Sequence, residues 1–101
     1  MATILAACAN GAGSSLLMKM AIENAVKELG MDISKVSHCS IAEAKSTARQ
    51  YTILCVPLNF LSMFNSVIQD GVEVVGLRNV MSKDEIKTKF VEAGFDQKYK
   101  K

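Results

Sequence analysis

Residues 3–15 read TILAACANGAGSS, and this stretch decides the fold. It opens with a nearly all-apolar run at 3–8, which is typical of a strand buried on both faces. Glycines and serines follow, and from residue 14 to residue 29 apolar side chains recur at helical spacing. The stretch therefore predicts a buried strand, a glycine-rich turn and a helix, with Cys8 at the end of the strand.

The remainder of the chain repeats this alternation. Strands are predicted at 33–38, 51–56 and 72–77, and helices at 40–48, 60–68 and 82–93. Four strands alternating with four helices predict an α/β fold, with a four-stranded parallel sheet and helices on both of its faces. The expected architecture is βαβαβαβα, Rossmann-like or flavodoxin-like, with strand order 2-1-3-4. Ligands of such folds bind beyond the carboxyl ends of the strands.

Length and composition indicate one domain. The 101 residues are 50% hydrophobic and include a single proline, which excludes disorder over most of the chain. We expect a domain at 1–97 and a basic, flexible tail at 98–101. The net charge of +2 and an aromatic content of 6% argue against nucleic-acid binding. No apolar run is long enough for a signal peptide or a membrane span, so a soluble cytosolic protein is expected.

Three cysteines, Cys8, Cys39 and Cys55, occur without a C-x-x-C pair. This odd number is typical of reduced thiols rather than of disulfides or a zinc site, so neither a metal nor another cofactor is expected. Cys39 and Cys55 are interpreted as packing residues, because Cys55 lies within a plainly buried strand.

The loop after Cys8 has the composition of a phosphate-binding nest. Gly11 and Gly13 would permit positive φ and let successive N–H groups point inward. Ser14 and Ser15 offer hydroxyl donors, and the helix N-terminus adds partial positive charge. The same donors would lower the pKa of the Cys8 thiol and make it a nucleophile.

Three interpretations of this loop remain open on spacing alone. The first is a structural turn beside an inert cysteine, or a non-catalytic module that only binds anions. The second is a dinucleotide site, which is disfavoured because the third glycine is missing. The third is phosphoryl chemistry on the thiol. Low-molecular-weight tyrosine phosphatases use this chemistry with a C-x5-R pattern, but the position six residues after Cys8 is Ser14, so a phosphate carrier fits better than a hydrolase.

Two segments resemble a known family. Residues 4–15, followed by Met18-Lys19-Met20, resemble the IIB component of the bacterial sugar phosphotransferase system (PTS), in its lactose/cellobiose-like family and there most closely the ascorbate-specific branch. Residues 75–82 also resemble that branch. Ala9 is a departure, because close relatives often carry glycine there.

The resemblance implies a mechanism. A phosphohistidine of the IIA component would phosphorylate Cys8, which would pass the group to a sugar, ascorbate-like in this branch, bound to the membrane component IIC during uptake. The chain would then be a phosphotransferase, cytoplasmic and peripheral to the membrane through IIC. The cradle for the phosphoryl group would be formed by Ala9, Asn10, Gly11, Ala12, Gly13, Ser14 and Ser15.

Other residues carry weaker signals. Arg78 and Asn79 are accessory candidates at the end of the last strand, where Arg78 would hold the phosphoryl group or form a surface ion pair. His38 is interpreted as a structural or surface histidine rather than a phosphoryl carrier. Met20, with its apolar neighbours on the first helix, could extend a docking surface, whereas Met18 is better explained as core.

Overall fold

A computed structural model of the chain describes residues 2–9 and 12–101. Its sheet has β1 (Ala2–Cys8) between β2 (Ile33–Ser40) and β3 (Ile53–Pro57), and β4 (Glu73–Leu77) pairs with the far side of β3. All three pairings are parallel. The predicted fold class and the strand order 2-1-3-4 are confirmed.

Two helical layers cover the sheet. One layer holds α1 (Ala12–Leu29), α4 (Lys83–Glu92) and α5 (Phe95–Lys98), and the other holds α2 (Ile41–Thr47) and α3 (Asn65–Gln69). Along β1 the side chains alternate between the layers, since Ile4, Ala6 and Cys8 pack in the first core cluster while Leu5 and Ala7 pack in the second. This double burial explains why β1 reads as a continuous apolar run.

The predicted capping boxes are present. Ser40 Oγ accepts a hydrogen bond from the backbone N–H of Glu43 at the start of α2, and Ser82 Oγ accepts one from Glu85 at the start of α4. Each serine satisfies one of the N–H groups that a first helical turn leaves without a backbone partner. Gly30 ends α1 with a positive φ of 70°, as its position after the last apolar residue predicts.

The prediction of one continuous helix at 60–68 is wrong. The chain forms a 3-10 helix at Leu58–Phe64 and only then the short α3. Neither segment has a side-chain cap, and the 3-10 helix packs closely on β4 at Gly76. A β-carbon at Gly76 would lie 2.8 Å from Leu58 Cδ1 and 3.3 Å from Leu58 Cα, so any larger residue would require Leu58 to move.

The end of the chain is hydrogen-bonded to the fold, although a flexible tail is predicted there. The Tyr99 carbonyl accepts a hydrogen bond from the Asp32 N–H at 2.5 Å, and the Lys101 N–H donates to the Gly30 carbonyl at 3.1 Å. Tyr99 also packs on the first core cluster, beside Phe95. These contacts join the basic terminal residues to the turn between α1 and β2, at the amino edge of the sheet.

Candidate functional site

Cys8 is the last residue of β1, and α1 begins four residues later at Ala12. Because the sheet is parallel, the carboxyl ends of β1, β3 and β4 share one edge. The chain runs from β1 to β2 on one side and returns to β3 on the other, so Cys8 lies at the topological switch point where α/β folds bind ligands. The structure therefore places Cys8 where the sequence predicts chemistry.

The Cys8 sulfur faces α1. Its side chain is only 4% exposed, and Sγ lies 3.6 Å from the sulfur of Met18, which is fully buried. Burial raises the pKa of the Cys8 thiol above its usual value, and a hydrogen bond with the Ser14 side chain, one helical turn before Met18, opposes that rise without cancelling it. The prediction that the pKa of the Cys8 thiol is lowered is therefore wrong. Among the described residues, Ser14 supplies a hydrogen bond that favours the thiolate, and the effect of burial is larger.

The loop residues are described in part. Ala9 and Gly13 are exposed, Ser14 is half-buried and Ser15 is fully buried. The predictions for Asn10 and Gly11 lie outside the described residues, and so does the side chain of Ala12.

Gly13 corrects one expectation. Among the described residues, positive φ occurs only at Gly30, Gly71 and Gly94, so Gly13 does not have the conformation predicted for it. It lies inside α1, because the helix starts two residues earlier than its apolar spacing suggests. No acidic residue occupies the first turn of α1, and the partial positive charge of that turn is therefore not offset from within the helix.

Ser15 joins the loop to β2. Its Oγ lies 3.0 Å from Nδ1 of His38, and Ser15 is the one fully buried polar side chain within the part of the chain that the structure describes. Sequence reasoning set His38 aside as a structural or surface histidine. The contact depends on strand register, because His38 pairs with Ala6, two residues before Cys8 on the same face of the sheet.

The loop between β4 and α4 also lies at this edge of the sheet, and it is organised by a carboxylate. Glu85 accepts hydrogen bonds from the backbone N–H groups of Arg78 and Asn79, both at 2.7 Å, and Asn79 Oδ1 accepts one from Met81 N–H at 3.1 Å. Burial raises the pKa of Glu85, but those two N–H groups, together with the charges of Lys89 and Arg78, outweigh it and hold the pKa below its usual value. The Arg78 side chain is exposed.

The other two cysteines have surroundings different from those of Cys8. Cys55 is fully buried, and burial raises the pKa of its thiol strongly. Cys39 is half-buried, and burial, together with the Glu43 charge, raises the pKa of its thiol despite a hydrogen bond with Thr47. Cys39 pairs with Ala7, so its side chain projects from the face of the sheet opposite Cys8. Both residues have the packing surroundings that the sequence predicts for them.

Large apolar side chains are exposed around this edge. On α1 these are Leu16, Leu17 and Met20; Leu58 follows β3 and Met81 follows β4, and their exposure ranges from 43% to 51%. We call these five residues the apolar rim. Met18, in contrast, is core as predicted.

Residues 2–9 and 12–101 lack two features, a membrane-spanning helix and a metal-binding cluster. No helix in this part is long and apolar enough to span a membrane. Nor do its histidine, cysteine and acidic side chains form a group that could hold a metal ion.

Comparisons with known proteins agree with this geometry. Residues 3–92 match the family described as "PTS system, Lactose/Cellobiose specific IIB subunit". The "Ascorbate-specific PTS system EIIB component" of Mycoplasma pneumoniae is 36% identical over 84 residues, which are 83% of this chain and 85% of that protein. The proteins of the same name from Salmonella typhimurium and Escherichia coli O157:H7 are each 30% identical over 88% of this chain and 85% of their own length. The chain therefore belongs to the lactose/cellobiose-type IIB subunits of the sugar phosphotransferase system.

Proposed function

We propose that this IIB subunit carries a phosphoryl group on Cys8, which it receives from a phosphohistidine of the IIA component and passes to a sugar bound to the membrane component IIC. The observation that supports this most directly is the position of Cys8. Cys8 is the last residue of β1 and directly precedes the loop into α1, whereas the Cys39 side chain projects from the opposite face of the sheet and Cys55 is fully buried.

The proposed transfer conserves atoms and charge. The N–P bond of phosphohistidine breaks, an S–P bond forms at Cys8, and the thiol proton ends on the released imidazole nitrogen. In the second step the S–P bond breaks, an O–P bond forms on a sugar hydroxyl, and the hydroxyl proton returns to the thiol. Each step therefore begins and ends with a neutral thiol or a thiophosphate.

The raised pKa of Cys8 fits this scheme. A buried, protonated thiol is a poor nucleophile until a base accepts its proton. Phosphohistidine supplies that base as its N–P bond breaks, because the departing imidazole nitrogen becomes free to bind the proton. The resting thiol can thus stay protonated and still react with its proper donor.

The cradle that we propose is the backbone of residues 9–15 with the hydroxyl groups of Ser14 and Ser15. The start of α1 supplies partial positive charge, and no carboxylate occupies its first turn. Arg78 and Asn79 are proposed as accessory residues, since they follow β4 at the same edge of the sheet. This arrangement would hold a dianionic thiophosphate without a base that activates water.

We propose ascorbate as the sugar, on the basis of the names of the relatives. The apolar rim is the proposed docking surface for IIA and IIC in turn, because its residues lie on α1 and in the segments that follow β3 and β4, whose carboxyl ends share an edge with that of β1. Because it would meet both partners, we propose that the chain is cytoplasmic and that its contact with IIC brings it to the membrane.

The test is transfer of phosphate to the purified chain. Incubation with phosphoenolpyruvate and the upstream carrier proteins should add one phosphoryl group that is stable to acid and removed by iodine, as expected of a thiophosphate. Cys8→Ser should abolish the addition, and Cys39→Ser, the matched control, should retain it. If Cys8→Ser still takes up the group, the assignment to Cys8 is wrong.

The same preparation separates the alternatives. Rapid turnover of a phenyl phosphate would favour a phosphatase-like hydrolase, although Ser14 stands where those enzymes carry arginine. Binding of inorganic phosphate without a covalent adduct, under conditions in which a known IIB subunit is phosphorylated, would favour a non-catalytic anion-binding module.

A further inference from the structure

The contact between the sulfur atoms of Cys8 and Met18 is a feature that the proposed transfer does not yet use. The two atoms are 3.6 Å apart, and the S–H group of Cys8 donates in this weak hydrogen bond. Cys8 is 4% exposed and Met18 is 0% exposed, and both belong to the core cluster that the sheet shares with α1. The sulfur that would carry the phosphoryl group therefore lies against a core side chain.

Cys8 contacts α1 at a second residue, which is less buried than Met18. The side chain of Ser14 is half-buried, lies one helical turn before Met18 and forms a hydrogen bond with the Cys8 sulfur. Burial raises the pKa of the Cys8 thiol and this hydrogen bond opposes the rise, which identifies Ser14 as the donor. The sulfur thus accepts a proton from Ser14 toward the start of α1 and donates its own proton to Met18 on the core side.

A phosphoryl group on Cys8 is incompatible with this arrangement for two reasons. As the S–P bond forms, the thiol proton leaves for the donor imidazole, so the sulfur has no proton left to donate to Met18. The phosphoryl group would also be a dianion, and burial of such a charge among apolar side chains is strongly unfavourable. The group would therefore lie on the Ser14 side of the sulfur, and the hydrogen bond to Met18 would be lost.

We propose that Met18 is a positioning residue that holds the unphosphorylated thiol of Cys8 against the core, and that attachment of the phosphoryl group breaks this contact. The inference rests on the proposed function of Cys8. A contact that only one of two states makes stabilises that state, so Met18 shifts the equilibrium toward the free thiol. Because the contact forms again when the phosphoryl group leaves, Met18 favours transfer from Cys8 to the next acceptor.

The partition of the phosphoryl group between donor and carrier tests this role. The histidine-phosphorylated IIA component is mixed with the full chain without phosphoenolpyruvate, and intact mass gives both phosphorylated fractions at equilibrium. Met18→Leu should raise the equilibrium constant for phosphorylation of the chain by about twofold, because only the free thiol loses a contact. Met31→Leu, buried in the same core cluster, is the matched control and should leave the constant unchanged. An unchanged or lower constant for Met18→Leu overturns the proposal.

Norleucine separates loss of the sulfur from a change in packing. This analogue has a methylene group in place of the methionine sulfur, so full replacement of the methionines should raise the constant as much as Met18→Leu does. The same replacement within Met18→Leu should add nothing further, because the contact with Cys8 is already absent there. A rise with Met18→Leu but none with norleucine would assign the effect to side-chain shape and overturn the proposal.

The S–H stretch of Cys8 gives a readout that does not depend on transfer. Hydrogen bonding lowers the frequency of this infrared band, and the difference between spectra recorded with and without Cys8→Ser separates it from the bands of Cys39 and Cys55. The band should move to higher frequency in Met18→Leu and stay in place in Met31→Leu. The same frequency in wild type and Met18→Leu overturns the proposal, since the thiol would then not donate to Met18.

Failure of this inference can be distinguished from failure of the proposed function. If the wild-type chain forms no phosphocysteine with the donor, the proposed function and this inference are both overturned. If wild type forms phosphocysteine and Met18→Leu shows the same partition, this inference alone is overturned.

Discussion

Two loops at the carboxyl edge of the sheet each lead into a helix, and they differ in whether an acidic side chain occupies the first turn of that helix. The loop before α4 binds its own anion, since the Glu85 carboxylate accepts hydrogen bonds from the N–H groups of Arg78 and Asn79. The loop before α1 has no acidic residue in the first helical turn, and it follows the Cys8 thiol. An acidic side chain of the chain itself thus occupies the first turn of α4, whereas the first turn of α1 has none, and we propose that its partial positive charge serves a ligand.

Supplying the first loop with a carboxylate should have the largest effect. Gly13 is exposed and a β-carbon there meets nothing within 4 Å, so Gly13→Asp should fold at least as well as wild type, because an acidic first turn stabilises a helix by about 0.3–1 kcal/mol. Phosphorylation by the upstream proteins should nevertheless fall by about a hundredfold, because the carboxylate repels the phosphoryl group. Gly13→Asn, which has the same shape without the charge, should lose much less. Equal losses for the two variants would show that charge is not what distinguishes the loops.

Removing the exposed cation of the second loop should have a smaller effect. Arg78→Ala leaves intact the backbone N–H that binds Glu85, so thermal unfolding should be unchanged. The phosphorylation rate should fall by about three- to tenfold if the guanidinium helps to hold the phosphoryl group. Arg78→Lys should recover part of the loss. If Arg78→Ala is phosphorylated at the wild-type rate, the Arg78 side chain does not contribute to transfer and the second loop is purely structural.

Neutralising the internal anion should change stability rather than transfer. Glu85→Gln weakens two charge-assisted hydrogen bonds and should lower the free energy of unfolding by about 1 kcal/mol near pH 7. Because the folded-state pKa of Glu85 is below its usual value of 4.5, this stabilisation is present above that pH and is lost as the pH falls through the lower folded value. In denaturant unfolding, the free energies of unfolding of wild type and Glu85→Gln should therefore become equal at acidic pH. Glu92→Gln, exposed on the same helix, is the control. If the difference in free energy of unfolding between wild type and Glu85→Gln is unchanged at low pH, the stabilisation does not come from the Glu85 charge.

The smallest expected effect concerns the sulfur of Met18. Met18→Leu keeps the buried volume but removes the atom that lies 3.6 Å from Cys8 Sγ. Loss of a contact worth about 0.5 kcal/mol to the protonated thiol should lower the midpoint of Cys8 alkylation by about 0.4 pH units. Peptide mapping after iodoacetamide treatment at several pH values measures this. Met20→Leu, exposed on the same helix, should leave the midpoint unchanged, and an upward shift for Met18→Leu would contradict the role given to the contact.

The fold was largely predictable because the strands differ from the helices in their apolar pattern. The continuous apolar runs of β1 and β3 and the serine caps of α2 and α4 are local signals, and parallel topology follows from the alternation of elements. The 3-10 helix at Leu58–Phe64 was not predictable, because it depends on close contact with Gly76 of another strand.

The site was predictable in part for the same reason. The position of Cys8 follows from one strand and its turn, both read from neighbouring residues. The raised pKa of its thiol depends on burial in the core cluster that β1 shares with α1, which only the tertiary structure provides. The contact of Ser15 with His38 joins residues 23 positions apart in sequence and depends on strand register, which no local pattern specifies.

The burial of Cys8 has a consequence for oxidation. Peroxides react with thiolate, and a sulfenic acid that is oxidised further becomes an irreversible lesion. Since burial raises the pKa of Cys8, little thiolate is present while the chain waits without phosphate. The proposed phosphohistidine donor would bring its own proton acceptor, whereas peroxide would not. The same burial that would slow chance oxidants would therefore cost the proposed transfer reaction little, and a carrier that cycles many times would keep its thiol reduced.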